Sequence, residues 1–402
     1  MTSDRRNKPL IYQNPSPING VGEMFNDLPS KTIRLLRFPL AVAVVFAHEI
    51  SRRETGGQIL QIDWLNFSGM ELYNCIRILI SNVIVLGARP CFFIISGFLF
   101  FKNITIWKNR FYIDKIKRRF TTLIIPYLLW ILIPVTLKAI YFFFLFDGSF
   151  ELFKSELLEN GILKIFWDYH DFGTSCNNIF GTPVYSYFPY NPPLWFLRDL
   201  IMLTFLAPLV YFFIKYSKIA GIIVLGICYY TQVWIYISGF SIDAFFFFSL
   251  GAYFSINNKN MMLELQKSKL LWLFIAIITM FLSLYFAGSN NYDFFRRIYI
   301  IAGSITAINI ATVIVKRDNK IWDTPLITFL SKTSFFIFAA HTVGLMRLSN
   351  HITNIILKWD NLFFLIIRYF TAPLICVSLC IALYYIASKT FPKLLKILTG
   401  SR

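Results

Sequence analysis

The chain has 402 residues, of which 56% are hydrophobic and 18% aromatic, and it carries a formal net charge of +18 at pH 7. Its mean hydropathy is +0.59, and this apolar content exceeds that of soluble globular proteins. The composition therefore predicts an all-α, polytopic membrane protein in a lipid bilayer. Nucleic acid is not an expected partner, because the basic residues lie mainly in short connectors between apolar segments, where they indicate cytoplasmic loops.

Residues 1–30 are polar and lack an apolar region followed by a cleavage site, so they predict a loose cytoplasmic N-terminus without a cleaved signal peptide. Residues 31–390 predict one transmembrane domain of about ten helices, and 391–402 a cytoplasmic tail. Basic connectors on one side place both termini in the cytoplasm, and a short interfacial helix is expected at 66–80. The predicted spans are 33–50, 80–101, 120–146, 194–214, 219–237, 241–256, 269–287, 298–315, 326–346 and 361–387.

The first span contains two ionisable residues, Arg37 and His48. At about 1.5 Å per helical residue they lie roughly 16 Å apart along one helix, about half of a bilayer's ~30 Å core. Ionisable groups are costly in lipid and usually mark a functional path. The pair predicts a reaction that spans the bilayer. The alternative is that both residues are merely solvated at opposite interfaces.

The second span runs through Arg89 and Pro90 to Ser96-Gly97, and a strongly basic loop follows. Arg89 is expected near the outer half, where it would contact a substrate. Small residues such as Ser96 and Gly97 allow helices to approach closely, and they would also leave space for a substrate arm. The six cysteines form no CxxC pair and predict neither disulfides nor a metal site.

The longest loop, 147–193, is rich in tyrosine, tryptophan and acidic residues. It predicts either a sugar-binding surface or a structural lid. His170 in this loop is expected to be solvated or to contact substrate, while Trp195 and Arg198 below it would bind substrate or, for Arg198, snorkel to the interface. His341 is a lone polar residue in the ninth span, which favours a packing role over catalysis, with substrate contact as the other interpretation.

In their order and spacing these segments resemble the acyltransferase-3 family of integral membrane acyltransferases, over Arg34 to about Lys389. One position departs from the family pattern, because Lys115 stands where the basic loop of the family usually has arginine. The resemblance is carried by Arg37-x10-His48, Phe92-Phe93-x-x-Ser96-Gly97-Phe98, the basic run Lys115-Ile116-Lys117-Arg118-Arg119, Pro193-Leu194-Trp195-Phe196-Leu197-Arg198, Phe248-Ser249-Leu250-Gly251, and the segment Ser334 to His341.

The resemblance implies an O-acyltransferase of the cytoplasmic membrane that uses acyl-CoA, usually acetyl-CoA, as donor and holds no permanently bound cofactor. Its acceptor would be a hydroxyl of cell-surface polysaccharide or of a lipid-linked precursor at the outer face. The family histidine maps to His48, which would then serve as the base, and the adjacent Glu49 is expected either to take part in catalysis or to be a solvated acid at the helix end. The residues expected to bind the donor are Arg37, Ser96, Gly97, Lys115, Arg118 and Arg119. Two alternatives remain open: a transporter or flippase of an amphiphile, and an acyltransferase for a lipid, peptide or small molecule.

Overall fold

The computed structural model describes residues 20–49, 61–104, 106–144, 153–155, 157, 161–317, 324–359 and 361–401. Most of these residues are helical, as long apolar runs favour in a bilayer. The helices are α1 (Gly20–Ala47), α2 (Gly69–Arg77), α3 (Ala88–Phe101), α4 (Asn109–Arg119), α5 (Ile125–Phe144), α6 (Ile162–Trp167), α7 (Trp195–Phe205), α8 (Ala207–Thr231), α9 (Ile242–Ile256), α10 (Met261–Gln266), α11 (Lys269–Tyr285), α12 (Tyr292–Arg317), α13 (Pro325–Ala340), α14 (Met346–Ile356), α15 (Leu362–Thr390) and α16 (Pro392–Leu398).

Six continuous helical stretches in the described residues are long and apolar enough to cross a membrane. Several join two helices through a π-helical or 3-10 turn, so that α2 continues into α3 and α4 into α5. α9 and α11 are shorter apolar helices. The all-α membrane class is confirmed, and the count of ten spans and the side of the termini stay predictions. A helix expected at 66–80 is present as α2, at the start of the second stretch, and its position at the membrane interface stays a prediction.

The long loop contains a β-hairpin that the sequence analysis did not predict. Strand β1 (His170–Asn177) pairs antiparallel with β2 (Pro183–Phe188). The turn is built by Asn178, whose side-chain oxygen accepts hydrogen bonds from the backbone N–H groups of Phe180 and Thr182. Gly181 takes the positive φ of 77° that the turn requires. The bundle is all-α as predicted, and this loop adds a two-stranded hairpin to it.

Helices α3 and α9 pack backbone against backbone through one glycine on each. A Cβ on Gly97 would lie 2.0 Å from the carbonyl oxygen of Phe248, and a Cβ on Gly251 would lie 1.9 Å from that of Ile94. Such an approach is possible only without side chains at the contact. The expected close helix approach is confirmed. Because α9 fills the space beside Gly97, that residue leaves no room there for the substrate arm.

The bundle has two chemically different ends. At one end, which we call the hairpin end, Arg297 near the start of α12 donates to the carbonyl of Asn177 in β1. At the other, the basic end, Lys115 and Arg119 of α4 lie against Phe100 at the end of α3. α3 and α12 run side by side. Gly87, just ahead of α3, packs on Gly303 of α12, and Cys91, one turn later in α3, contacts the carbonyl of the following residue, Ser304. The two helices therefore run in the same direction. The two ends therefore lie on opposite sides of the bundle.

We expect Gly97→Ala to destabilise the protein by about 1–3 kcal/mol, because the added methyl group overpacks a backbone contact. Gly226→Ala is the matched control, since the Cβ there would meet only the ring edge of Phe246 at 3.3 Å. Thermal unfolding of both variants in detergent tests this. Equal melting temperatures for the two variants would contradict the packing role.

Candidate functional site

The two histidines of the predicted spans lie together. His48 follows the last residue of α1, and His341 follows the last residue of α13. Their ring centroids are 5.1 Å apart with the ring planes inclined at 49°. His48 is exposed, whereas His341 is fully buried. The sequence analysis weighed His341 mainly as a packing residue and did not predict that it would lie beside His48.

The hydrogen bonding of His341 defines which ring nitrogen carries a proton. Nδ1 lies 3.0 Å from the carbonyl oxygen of Ile337. Since a carbonyl oxygen only accepts, Nδ1 must donate, and Nε2 of the neutral ring then carries the lone pair. Within the described residues, Nε2 is buried and has no hydrogen-bond partner. His341 thus presents a basic nitrogen inside the bundle.

The helix is interrupted directly after His341. Val343 and Gly344 leave helical geometry, and Gly344 has a φ of 84°. Asn191, from the segment after the hairpin, reaches this interruption: its amide donates to the carbonyl of Ala339 at 3.1 Å, and its oxygen accepts from the Thr342 hydroxyl at 2.9 Å. The sequence analysis missed both Asn191 and Thr342. The only local signal was a polar residue directly before Pro192-Pro193.

The end of α1 is held by Ser81 and Tyr369. The Ser81 hydroxyl lies 2.6 Å from the carbonyl of Phe46 and 2.7 Å from the Tyr369 hydroxyl, so one of the last carbonyls of α1 gains a side-chain partner. Glu49 lies near enough to Tyr369 and Cys376 of α15 to act on both electrostatically. The predicted catalytic residues His48 and Glu49 therefore lie between α13 and α15.

Arg37 lies on the same helical face as His48, because eleven residues at about 100° each return to within roughly 20° of the starting direction. Its side chain is half-buried, and Arg34 lies near enough to act on it electrostatically. A cationic side chain thus lies three turns from the histidine pair, towards the basic end. Helical periodicity thus places Arg37 and His48 on one face, and the role of Arg37 stays a prediction.

The two cations of the basic loop that face the bundle are Lys115 and Arg119, whereas the family pattern marks Lys115 and Arg118. Lys115 and Arg119 are half-buried and lie 5.9 and 5.8 Å from the ring centroid of Phe100. Arg118 is exposed. Because residues four apart share a helix face, Lys115 and Arg119 form one inward-facing cationic surface. Ser96, one turn before Phe100, is half-buried in α3.

Arg198 does not have the substrate-facing position that the sequence analysis predicted. It is 4% exposed and pairs with Asp199 at 3.0 Å. It also donates to the carbonyls of Trp167 and Tyr187, at 2.6 and 3.2 Å. Arg198 therefore fastens the base of the hairpin to α7, and its guanidinium is engaged by the protein itself.

The remaining predicted substrate residues divide between a small cavity and the hairpin base. Arg89 lies 5.6 Å from the ring centroid of Trp195, and both line a cavity together with Asp243 of α9. Asp243 was not predicted. His170 is half-buried, with Nε2 3.3 Å from the carbonyl oxygen of Tyr190, and a role in substrate contact stays a prediction. Among the described residues, no three His, Cys, Asp or Glu side chains gather as metal ligands would.

Residues 31–389, which contain the histidine pair, both ends of the bundle and the hairpin, match the acyltransferase domain family. The chain belongs to this family. It is a multi-pass membrane acyltransferase, and the transporter alternative is thereby excluded as its principal class. The succinoglycan biosynthesis protein ExoH of Rhizobium meliloti (strain 1021) is 26% identical over 397 residues, covering 93% of this chain and 92% of that protein. No solved structure gives a significant match.

We expect Arg198→Met to destabilise the acyltransferase by about 3–5 kcal/mol, because it leaves the buried Asp199 without its cation. The double variant Arg198→Met/Asp199→Asn should recover much of this loss. Thermal unfolding and limited proteolysis within the hairpin measure both effects. A stable Arg198→Met protein that loses only acceptor affinity would restore the original prediction of a substrate contact.

Proposed function

We propose that this acyltransferase moves an acyl group, most simply acetyl, from acyl-CoA at the basic end to a hydroxyl of a polysaccharide, or its lipid-linked precursor, at the hairpin end. The observation that carries the proposal is the His48–His341 pair in a bundle that has a basic end and a hairpin end. The name of the relative ExoH supports a polysaccharide acceptor. The cytoplasmic membrane is the proposed location, since acyl-CoA is a cytoplasmic donor and the positive end would face it.

The chemistry needs a base for a hydroxyl whose own pKa is far above neutrality. In the proposed mechanism the exposed imidazole of His48 takes the hydroxyl proton as the oxygen attacks the thioester carbonyl. Coenzyme A leaves as a thiolate, and the proton on His48 is available to it. A centroid distance of 5.1 Å leaves room for one N–H···N hydrogen bond, so Nε2 of His341 would orient His48 and stabilise its charged form, as the third member of a triad does. Glu49, the next residue in the chain, is proposed to act beside His48.

The donor is proposed to bind through the phosphate groups of coenzyme A. Lys115 and Arg119 share one inward face at the basic end, and Arg37 lies between that end and the histidines. Charged hydrogen bonds to phosphate are strong, and arginine binds two oxygens at once. The exposed Arg118 contributes to the general positive potential of this surface.

The acceptor is proposed to approach between the hairpin and the histidine pair, near the cavity of Arg89, Trp195 and Asp243. An aromatic ring beside a carboxylate and a guanidinium offers both an apolar face and hydrogen-bonding groups, which suits a sugar ring and its hydroxyls. A lipid, peptide or small-molecule acceptor would be distinguished by which fraction of a cell-envelope extract becomes labelled from radioactive acetyl-CoA.

We expect His48→Ala and His341→Ala each to lower transfer by roughly 10²–10⁴-fold, the usual contribution of general-base catalysis. Because the two imidazoles act as one unit, the double variant should be little worse than either single variant. The measurement is label transfer from radioactive acetyl-CoA to envelope polysaccharide in membranes. His351→Ala is the matched control, since His351 is exposed on α14. Near-normal transfer by a folded His48→Ala protein would refute the mechanism.

We expect Lys115→Ala and Arg119→Ala each to raise the KM for acetyl-CoA about tenfold or more, with little change in the KM for the acceptor. The reason is the loss of a charged contact to phosphate, commonly about 1.5–3 kcal/mol. Arg118→Ala removes the same charge from the exposed face and is the control. If all three variants change the KM for acetyl-CoA equally, the basic helix acts only through its overall charge.

A further inference from the structure

Asn191 joins three separate parts of the bundle through its side chain. Its amide nitrogen donates to the carbonyls of Trp130 in α5, at 3.0 Å, and of Ala339 in α13, at 3.1 Å. Its oxygen accepts from the Thr342 hydroxyl at 2.9 Å. The residue is 2% exposed, so these hydrogen bonds lie in the protein interior, where an unsatisfied amide is costly. Both donors and the acceptor of this side chain are thus in use.

Two of these contacts are to residues that lie on either side of His341 in the sequence. Ala339 lies two residues before it and Thr342 directly after it, at the point where Val343 and Gly344 break the helix. An interrupted helix leaves carbonyl groups that need donors from elsewhere. Asn191 supplies such a donor on one side of His341 and accepts from the Thr342 hydroxyl on the other. The backbone that carries the imidazole is therefore held by a residue from a distant part of the chain.

The direction of the His341 ring follows from this backbone together with the Nδ1 contact to Ile337. The backbone fixes the Cα–Cβ direction, and the Nδ1 hydrogen bond fixes the rotation of the ring. With both set, Nε2 points to one place. A small error at this point is large for catalysis, since a displacement of about 1 Å can lower a rate roughly 100-fold.

The segment that carries Asn191 is itself stiff. Pro192 and Pro193 follow it and start a short 3-10 turn into α7, and proline fixes φ near −65°. The Trp130 carbonyl gives Asn191 an anchor on α5 that is independent of α13. Asn191 can therefore transmit the position of the segment between hairpin and α7 to the backbone at His341.

We propose that Asn191 is a positioning residue that aims His341 at His48 and so joins the hairpin segment to the reacting pair. The inference rests on the proposed role of the two histidines. It deepens that role by assigning the orientation of the buried imidazole to a residue outside the helices that carry the pair. In this arrangement the side chain of Asn191 bonds to Trp130, Ala339 and Thr342, so it would act on His341 through residues 339–342.

The test compares variants in transfer from radioactive acetyl-CoA to an envelope extract from cells that lack the gene. We expect Asn191→Ala to lower kcat about 100-fold and Thr342→Val, which removes only one of the contacts, about tenfold. The KM for acetyl-CoA should change less than about threefold for both. Thr342→Ser keeps the hydroxyl and should restore most of the rate. Thr279→Val is the control, because the Thr279 hydroxyl bonds only within α11.

A double-mutant cycle separates positioning from general damage to the fold. If Asn191 acts through His341, then Thr342→Val should cause little further loss in a protein that already carries His341→Ala. Independent, multiplicative losses would overturn the inference, and so would normal kcat in Thr342→Val and Asn191→Ala proteins of unchanged melting temperature. In both cases a large effect of His341→Ala alone would leave the proposed function standing. A normal rate in His341→Ala would refute the role of His341 and this inference together.

Discussion

Inside a bilayer a polar group can be satisfied only by another part of the protein, and this constraint governs the arrangement of the functional region. The interrupted helix at His341 would expose backbone carbonyls to an apolar interior. Asn191 removes that cost for Ala339 and also satisfies Trp130. The same rule explains Arg198, whose buried charge is balanced by Asp199 and whose remaining donors meet hairpin carbonyls. Asn191 from the long loop and Arg198 from α7 thus each satisfy backbone carbonyls of another part of the chain.

The two ends of the bundle solve different problems. The basic end presents cations that rest on an aromatic ring, as Lys115 and Arg119 do on Phe100, and this keeps long flexible side chains in one place. The hairpin end instead uses buried arginines to hold a small sheet over the helices, through Arg198 and through Arg297 on Asn177. The histidine pair lies between a surface suited to anions and a surface rich in aromatic rings. That division agrees with a donor and an acceptor that arrive from opposite sides.

The sequence sufficed for whatever depends on local pattern. Apolar runs predicted the helical membrane class, the spacing of Arg37 and His48 predicted their separation along one helix, and small residues predicted the close approach at Gly97. It did not reveal tertiary partners. Nothing in the sequence near His341 shows that α13 ends beside α1, so a buried histidine resembled a packing residue. Arg198 looked like a substrate contact because its partners Trp167 and Tyr187 are distant in the chain. The hairpin was missed because its strands are short, and its turn depends on the side chain of Asn178.

The paired glycines of α3 and α9 have a geometric consequence for the cavity near the hairpin end. Gly97 and Gly251 bring the two backbones into direct contact, and this contact restricts how α3 and α9 can move relative to each other. Arg89 belongs to the first of these helices and Asp243 to the second, and both line the same cavity. The helix contact therefore holds a positive and a negative group at a set distance from each other across the cavity. A molecule that binds to both groups has to fit the distance between them, because a change in that distance would require the glycine contact between α3 and α9 to shift.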